Sequence, residues 1–420
     1  MARSHIITGL DIGTNSIKAL AAERRGNEWN VVSYNQVPSF GLRRGVVVSV
    51  EDTARNIQLL LQRLEKETGG RIGSVSVNIN GSHLRVEPSD GLISVSRADH
   101  IISQEDVERV LQATKSINIS SNEDILEVFP REFIIDDQKE IRHPVGLTGV
   151  RLQAKVLLLC YFQSHFTNLT QAVLNSRLQI EDVVPSPLAA ARAVLTPQQK
   201  EIGVALVDVG ASTTSLAVFE EGDLIHLAVF PLGSANITND LAIGLKTEVG
   251  VAEEVKKQYG SCMIGGGSQI IKKDKKDGEN GKLFIKGKND EIIDQAHGVS
   301  FTRKRLVEII GPRASEILGL VQKELKKIGR QELLPGGVVL TGGGVKLPKF
   351  KELVKQQLKL PCEIGSPKGI VGFGDDPMLA TVVGLVLGDQ DYDGSSHDGV
   401  SGFLKNMMPG FKKMFRVFIP

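Results

Sequence analysis

Two stretches of this chain each place an Asp at the end of an apolar run, with a Gly two residues later. The first is Ile6-Ile7-Thr8-Gly9-Leu10-Asp11-Ile12-Gly13-Thr14-Asn15-Ser16; the second is Val204-Ala205-Leu206-Val207-Asp208-Val209-Gly210-Ala211-Ser212-Thr213-Thr214. A Gly lets the backbone approach a phosphate where a Cβ would clash, and free backbone N–H groups suit phosphate oxygens. Each Asp is a hard oxygen donor able to hold a hydrated Mg²⁺. Asp11 and Asp208 are therefore the candidate metal residues, and Asp208 is also the candidate for any weak hydrolysis. Gly13, Thr14, Asn15, Gly210, Ala211, Ser212 and Thr213 are the candidate phosphate-facing residues. A third turn, Gly342-Gly343-Gly344, follows the apolar Val338-Val339-Leu340 and offers flat backbone beneath an adenosine. Glu253 and Lys256, three apart on one helix face, could take ribose hydroxyls and adenine or form a plain surface ion pair. Three such turns across one chain describe ATP with Mg²⁺ clamped between two related domains.

The elements around these turns support two half-domains. Ile17–Ala22 reads as the return strand of a hairpin, Val46–Val50 as another strand, and Asp52–Glu67 as a helix with Ile57, Leu60, Leu61 and Leu64 on one face. Val75–Ile79 is the next strand, giving a βββαβ order. From Leu84 to Tyr161 the pattern changes to a helix, Glu105–Lys115, among strands near Leu92–Val95, Leu126–Phe129 and Lys155–Leu159. That stretch reads as an α+β module inserted in the first half. Ser164–Ser176 is a helix, Ile180–Val184 a strand, and Pro187–Leu195 a linking helix before the second Asp turn. In the second half Ile237–Gly260 and Arg303–Lys327 read as helices, with a Lys- and Gly-rich hairpin tip at Lys275–Gly281 between them. Asp389–Val400 is polar and rich in Gly, Ser and Asp, the composition of a flexible linker.

Composition excludes several classes. A chain of 420 residues exceeds what one core usually holds. Lys plus Arg number 50 against 49 for Asp plus Glu, so no global field attracts nucleic acid. Cys160, Cys262 and Cys362 are scattered and form no CxxC pair, which argues for a reducing compartment and against a zinc site. Arg3-Ser4-His5 runs straight into a strand rather than into a signal-peptide core, and the longest apolar run, Val156–Phe162, is too short to span a bilayer.

Asp11-Ile12-Gly13-Thr14, Asp208-Val209-Gly210 and Thr341-Gly342-Gly343-Gly344 resemble the motifs of the actin/Hsp70 ATPase superfamily, which also includes sugar kinases. Within the module, Phe129-Pro130-Arg131-Glu132-Phe133-Ile134-Ile135-Asp136 and the stretch from Arg142-His143-Pro144-Val145-Gly146-Leu147-Thr148-Gly149 to Lys155 resemble the FtsA family of bacterial division proteins. The resemblance covers essentially the whole chain. It implies an actin-like, two-lobed α/β fold of ribonuclease-H-like domains, with an FtsA-type inserted subdomain and a C-terminal amphipathic helix. The implied divisions are 1–83, 162–198 and 373–388 for subdomain 1A, 84–161 for the inserted 1C, 199–232 and 312–372 for 2A, and 233–311 for 2B. A linker at 389–400 and a membrane-targeting helix at 401–420 complete them. The implied role is to bind ATP, form filaments and tether the tubulin-like division protein FtsZ to the membrane at midcell. Subdomain 2B would dock the FtsZ C-terminal peptide and 1C would meet neighbouring copies and later division proteins. Arg303, Lys304, Arg305 and Arg313 are candidate contacts for an acidic partner peptide, or else a solvated helix face.

The family's second turn usually reads Asp-x-Gly-Gly-Gly-Thr-Thr-Asp, whereas this chain carries Ala211, Ser212 and Ser215. Two added Cβ atoms and a lost carboxylate point to slow ATP turnover at most, since positioning of water and metal carries most of the rate in phosphoryl transfer. In the tail, Leu404, Met407, Met408, Phe411, Met414, Phe415 and Phe418 share one helical face, opposite Lys405, Lys412, Lys413 and Arg416. Bulky apolar groups opposite a cationic face fit a helix lying in an anionic membrane interface on the cytoplasmic side. The alternatives are an actin-like pilus-assembly ATPase, also related, and a sugar-kinase-type phosphotransferase.

Overall fold

The computed structural model describes residues 6–26, 28–117, 119–264, 292–294 (backbone) and 300–388. The expected hairpin tip at Lys275–Gly281, the linker at 389–400 and the tail at 401–420 lie outside the described residues. The chain opens with β1 (Ile6–Ile12), β2 (Ser16–Arg25) and β3 (Glu28–Pro38), an antiparallel meander. The third strand is thus Glu28–Pro38 and not Val46–Val50; Val46 and Val47 form only β5, paired with β4 (Leu42–Arg43). Helix α1 (Val50–Thr68) starts at Ser49, whose side chain accepts from the Asp52 N–H, and ends at Gly69 in the left-handed conformation. Its apolar stripe, Ile57, Leu60, Leu61 and Leu64, is buried. Strand β6 (Ser74–Ile79) then pairs parallel with β1.

The inserted module comprises β7 (Arg85–Ser94), α2 (Gln104–Thr114), β8 (Glu123–Ile135), β9 (Gln138–Ile141) and β10 (Arg151–Phe162). It has a core of its own, with Val107, Val110 and Leu111 of α2 against Phe133, Leu152, Ala154 and Leu158. The chain returns through α3 (Gln163–Asn175) and β11 (Gln179–Pro185) to α4 (Ser186–Val194) and α5 (Pro197–Ile202). A second meander follows: β12 (Val204–Val209), β13 (Thr214–Glu220) and β14 (Asp223–Phe230). Next come α6 (Ser234–Leu245) and α7 (Val249–Tyr259), two helices where the sequence suggests one, because Lys246 adopts a left-handed conformation and ends the first. A two-stranded ladder, β15 (Ile292–Asp294) and β16 (Ser300–Thr302), leads into α8 (Arg303–Lys327). The expected division between 311 and 312 falls inside this single helix, at a Pro whose missing N–H the helix absorbs. Then follow β17 (Val338–Thr341), α9 (Phe350–Leu358), β18 (Cys362–Ile364), β19 (Ile370–Val371) and α10 (Ala380–Leu387).

The two lobes repeat one topology. The first sheet runs β11-β6-β1-β2-β3-β19, and the second contains β18-β17-β12-β13-β14; each has an antiparallel meander with two parallel strands beside its first. Helix α10 packs against α4 and β1. The α4–α10 approach is backbone to backbone, since a Cβ at Gly384 would stand 1.7 Å from the Ala189 carbonyl oxygen. The module's sheet is continuous with the second lobe's, through a bridge from β7 to β14.

Candidate functional site

Strand pairing brings the sequence candidates together. The β1–β2 hairpin puts Asp11 opposite Lys18, and the β12–β13 hairpin puts Asp208 opposite Ser215. Strand β17 lies parallel to β12, with Thr341 beside Asp208, so the third glycine turn leaves the sheet next to the second Asp. A cavity of about 520 Å³ opens between the lobes at these strand ends. Asp11, Gly13, Thr14, Asn15, Asp208, Gly210, Ala211, Thr213, Glu253, Lys256, Gly342, Gly343 and Gly344 all line it. Of the sequence-expected nucleotide residues, Ser212 alone is off the wall; its hydroxyl donates to Thr14 Oγ1 at 2.8 Å, joining the two turns across the cleft. None of the lining residues comes from the module.

The two carboxylates differ in their surroundings. Asp11 is buried and fully engaged: Lys18 Nζ stands 2.7 Å from Oδ2, and Asn78 Nδ2 donates to Oδ1 at 2.9 Å. Asn78 also accepts from the Ile12 N–H at 2.6 Å and donates to Ser186 Oγ at 2.9 Å, tying the turn to the start of α4. Asp208 has no hydrogen-bond or ion-pair partner among the described residues. Enclosure in the cleft, and next the negative charge of Asp11, push its carboxyl up to about 6, with Lys18 opposing. A buried carboxylate in this condition gains from any cation placed beside it.

Gly342 is required by geometry: at φ +87° an added Cβ would lie 2.2 Å from Asp208 Oδ1. Gly343 is different, since its Cβ would face open cavity with only Met378 Cβ at 4.0 Å. Thr341 Oγ1 donates to the Pro377 carbonyl at 2.8 Å, fixing the root of this turn. On the opposite side Lys256 is buried, paired with Glu253 at 2.6 Å and donating to Thr238 Oγ1 at 2.8 Å. The pair therefore belongs to the cavity wall and is no plain surface contact. Burial lowers the Lys256 ammonium, with the Glu253 hydrogen bond opposing.

Sequence reasoning did not single out Lys18, Asn78, Asn80 or Ser186, all of which line the cavity. Lys18 is signalled by counting hairpin partners, because Gly13–Ser16 as the four-residue turn sets residue 18 opposite residue 11. Asn80 donates to Thr213 Oγ1 at 3.2 Å and accepts from Ser215 Oγ at 3.4 Å, a second link between the lobes. Among the partner candidates, Arg313 is held at home by Asp240, through Nε at 2.6 Å and Nη2 at 3.0 Å, and pairs with Glu316. Arg303, Lys304 and Arg305 are exposed in the first turn of α8. The membrane candidates Leu404, Met407, Met408, Phe411, Lys412, Met414, Phe415, Arg416 and Phe418 lie outside the described residues. No helix among the described residues is long and apolar enough to cross a membrane.

Two family models match the chain: Cell division protein FtsA over residues 205–384, and SHS2 domain inserted in FTSA over residues 81–160. Cell division protein FtsA of Pseudomonas aeruginosa is 34% identical over 388 residues, covering 91% of this chain and 88% of that one. The Bacillus subtilis and Escherichia coli K12 proteins of the same name are 33% and 31% identical, over 92% and 91% of this chain and 84% and 89% of theirs. Among solved structures, a PilM-PilN type IV pilus biogenesis complex aligns with a TM-score of 0.63 at 18% identity, covering 91% of this chain and 97% of that one. MreB5 of Spiroplasma citri bound to ADP aligns at 0.52 and 12% identity, over 94% and 99%. These likenesses show the actin-like fold.

Proposed function

This chain belongs to the FtsA family of actin-like cell-division proteins, and from that premise we propose that it binds ATP between its lobes and anchors FtsZ filaments to the cytoplasmic face of the membrane at midcell. The observation that carries the nucleotide reading is the convergence of all three glycine turns on one interlobe cavity with an unpartnered carboxylate at its floor. Backbone N–H groups that follow Gly13 and Gly210, at Thr14 and Asn15 and at Ala211, would take phosphate oxygens, with Lys18 adding positive charge. Asp208 and Asp11 suit Mg²⁺, a hard cation that prefers oxygen donors and keeps much of its water. The metal would supply charge neutralisation at the phosphates, while the residues position them. Gly343 would lie beneath the adenosine, with Glu253 and Lys256 at its ribose and base.

Turnover is slow at most in this reading. The Ser215 hydroxyl, opposite Asp208, offers no carboxylate to hold metal or water, and it is tied to Asn80. The exposed cations at the start of α8 would meet the acidic C-terminal peptide of FtsZ. The module and the lobes would contact further copies in a filament and later division proteins. Residues 401–420 would bind anionic lipid through Phe415 and its apolar neighbours, with Lys412 and Arg416 setting the lipid preference. A pilus-assembly role is the second reading, favoured only by the likeness to the PilM-PilN complex.

Co-sedimentation with anionic vesicles, with and without FtsZ, tests the anchoring. FtsZ should pellet only when this protein is present, and failure to recruit it overturns the adaptor role. Calorimetry of Gly343→Leu tests the nucleotide site. The added side chain enters the cavity without clashing with the fold, so Mg·ATP affinity should be lost while the unfolding midpoint stays near that of the parent. Unchanged affinity overturns the assignment.

A further inference from the structure

The two stretches of the module that carry the family resemblance each lend one arginine to the same turn of the second lobe. That turn joins β13 to β14 at Glu221 and Gly222. Arg142 Nη2 donates to Glu221 Oε2 at 2.9 Å, and Arg131 Nη1 donates to the Leu224 carbonyl oxygen at 3.4 Å. The Arg131 guanidinium is half-buried, and Asp223, Glu220 and Glu221 are close enough to act on its charge. The exposed Arg142 pair is worth little by itself. The half-buried Arg131 matters more: Glu220 is held by Arg330 and Glu221 by Arg142, but losing the Arg131 charge would leave Asp223 facing Arg142 alone. Alongside, Ala228 of β14 bridges Arg85 of β7 and makes the two sheets one.

The module's junction with the first lobe, where the chain enters and leaves it, is built differently. His83 precedes β7 and His165 follows β10; their rings meet edge to face at 4.5 Å, with Phe162 beside His83 at 6.0 Å. Neither ring nitrogen of the buried His83 has a hydrogen-bond partner among the described residues. Alongside this ring packing the Gln163 N–H donates to the Asn122 carbonyl at 3.0 Å, one backbone bond at the exit, against a strand bridge and two arginine contacts on the second lobe's side.

We infer that the inserted module, although spliced into the first lobe's sequence, is held by the second lobe and moves with it. Strand β13 begins at Thr214, next to Thr213 on the cavity wall, and ends at Glu220, next to the Arg142 partner. A displacement at the second glycine turn would therefore reach the module roughly 20 Å away along one paired strand. That transmission rests on the nucleotide reading; the attachment of the module does not. Where both hold, anything that grips the module changes nucleotide affinity, and nucleotide changes the grip by the same factor.

Pulsed electron paramagnetic resonance on the full chain without nucleotide tests the attachment. Spin labels go on Lys139→Cys in the module, Gln356→Cys in the second lobe and Gln62→Cys in the first; the three native cysteines are buried. The 139–356 distance distribution should be narrower than the 139–62 distribution. Arg131→Glu should broaden 139–356, with circular dichroism confirming the fold. Arg142→Glu should broaden it less, and adding Glu221→Arg should restore the parent width. A 139–62 distribution as narrow as 139–356 or narrower overturns the inference. So does a folded Arg131→Glu chain with an unchanged 139–356 distance. If Arg131→Glu does not fold, the Arg142 and Glu221 swap decides by the same widths.

Discussion

In the first lobe the hairpin sets Lys18 opposite Asp11, and in the second the same pairing sets Ser215 opposite Asp208. The backbones are near repeats: an Asp at a strand end, a Gly two residues on, and an N–H from that Gly to the carbonyl three residues later, at 3.2 Å in one turn and 2.9 Å in the other. The electrostatics are opposite. One carboxylate is already paired with an ammonium and an amide, while the other, pushed up by its enclosure and then by the first, has no bonded partner among the described residues. A repeated motif thus carries one carboxylate paired within the fold and one that is not, and the cross-strand residue, Lys18 or Ser215, together with Asn78 makes much of the difference.

This contrast can be broken most sharply at Asp11. Asp11→Ala leaves Lys18 buried without its partner and should cost about 3–5 kcal/mol of stability, read by urea denaturation. A loss below about 1 kcal/mol would mean that Asp11 is no more structural than its counterpart.

Asp208→Asn should do the reverse. Its carboxyl titrates at about 6 in the fold against an ordinary value of 3.8, so ionisation costs stability in the metal-free protein. A group raised in this way contributes stability that is present below the unfolded value and lost as pH rises through the folded one. The parent should lose stability between about pH 4 and 7, and the Asn variant should lack that slope. The variant should be more stable at pH 7 by roughly 1–3 kcal/mol, discounted for partial exposure. Denaturation curves at both pH values, in a chelator, check this; a variant less stable than the parent at pH 7 contradicts it. Mg²⁺-dependent nucleotide affinity should fall in the same variant.

The smallest effect concerns the link between the turns. Ser212→Gly removes the hydroxyl bonded to Thr14, a contact worth about 0.5–1.5 kcal/mol. Release of a fluorescent ATP analogue should accelerate by at most about tenfold in stopped flow. Slower release would show that the link opposes closure.

The sequence made the two Asp turns, the glycine turn and most helices legible because each is a local pattern. Asp followed by a small residue two places on marks a strand end, and the α1 stripe of Ile57, Leu60, Leu61 and Leu64 marks a helix. Strand β3 escaped because Asn30, Ser33, Asn35 and Gln36 break its apolar alternation; its partners in the sheet supply the order that its side chains do not. The break between α6 and α7 rests on one left-handed Lys, a conformation that no residue type at that position signals. Asn78 reads only as part of a strand and Asn80 as its stop, and only the approach of β1 and the second lobe gives them roles. Long-range pairing likewise decides that the inserted module continues the second lobe's sheet, a fact with no local signature.

The backbone-to-backbone contact of Gly384 with Ala189 has a mechanical consequence. Residues beyond Gly388 leave the described fold from the end of α10, so a pull applied through them enters the molecule at that helix. Gly9 of β1 also lies close beneath it, since a Cβ there would stand 2.9 Å from the Val382 carbonyl oxygen. At the Gly384–Ala189 contact no side chain is there to yield, so tension passes directly into α4, while the Leu385 and Val386 side chains carry it onto β1 at Gly9. Strand β1 ends at Ile12, one residue past Asp11, and α4 begins at Ser186, so traction on the chain's end would load the cleft itself.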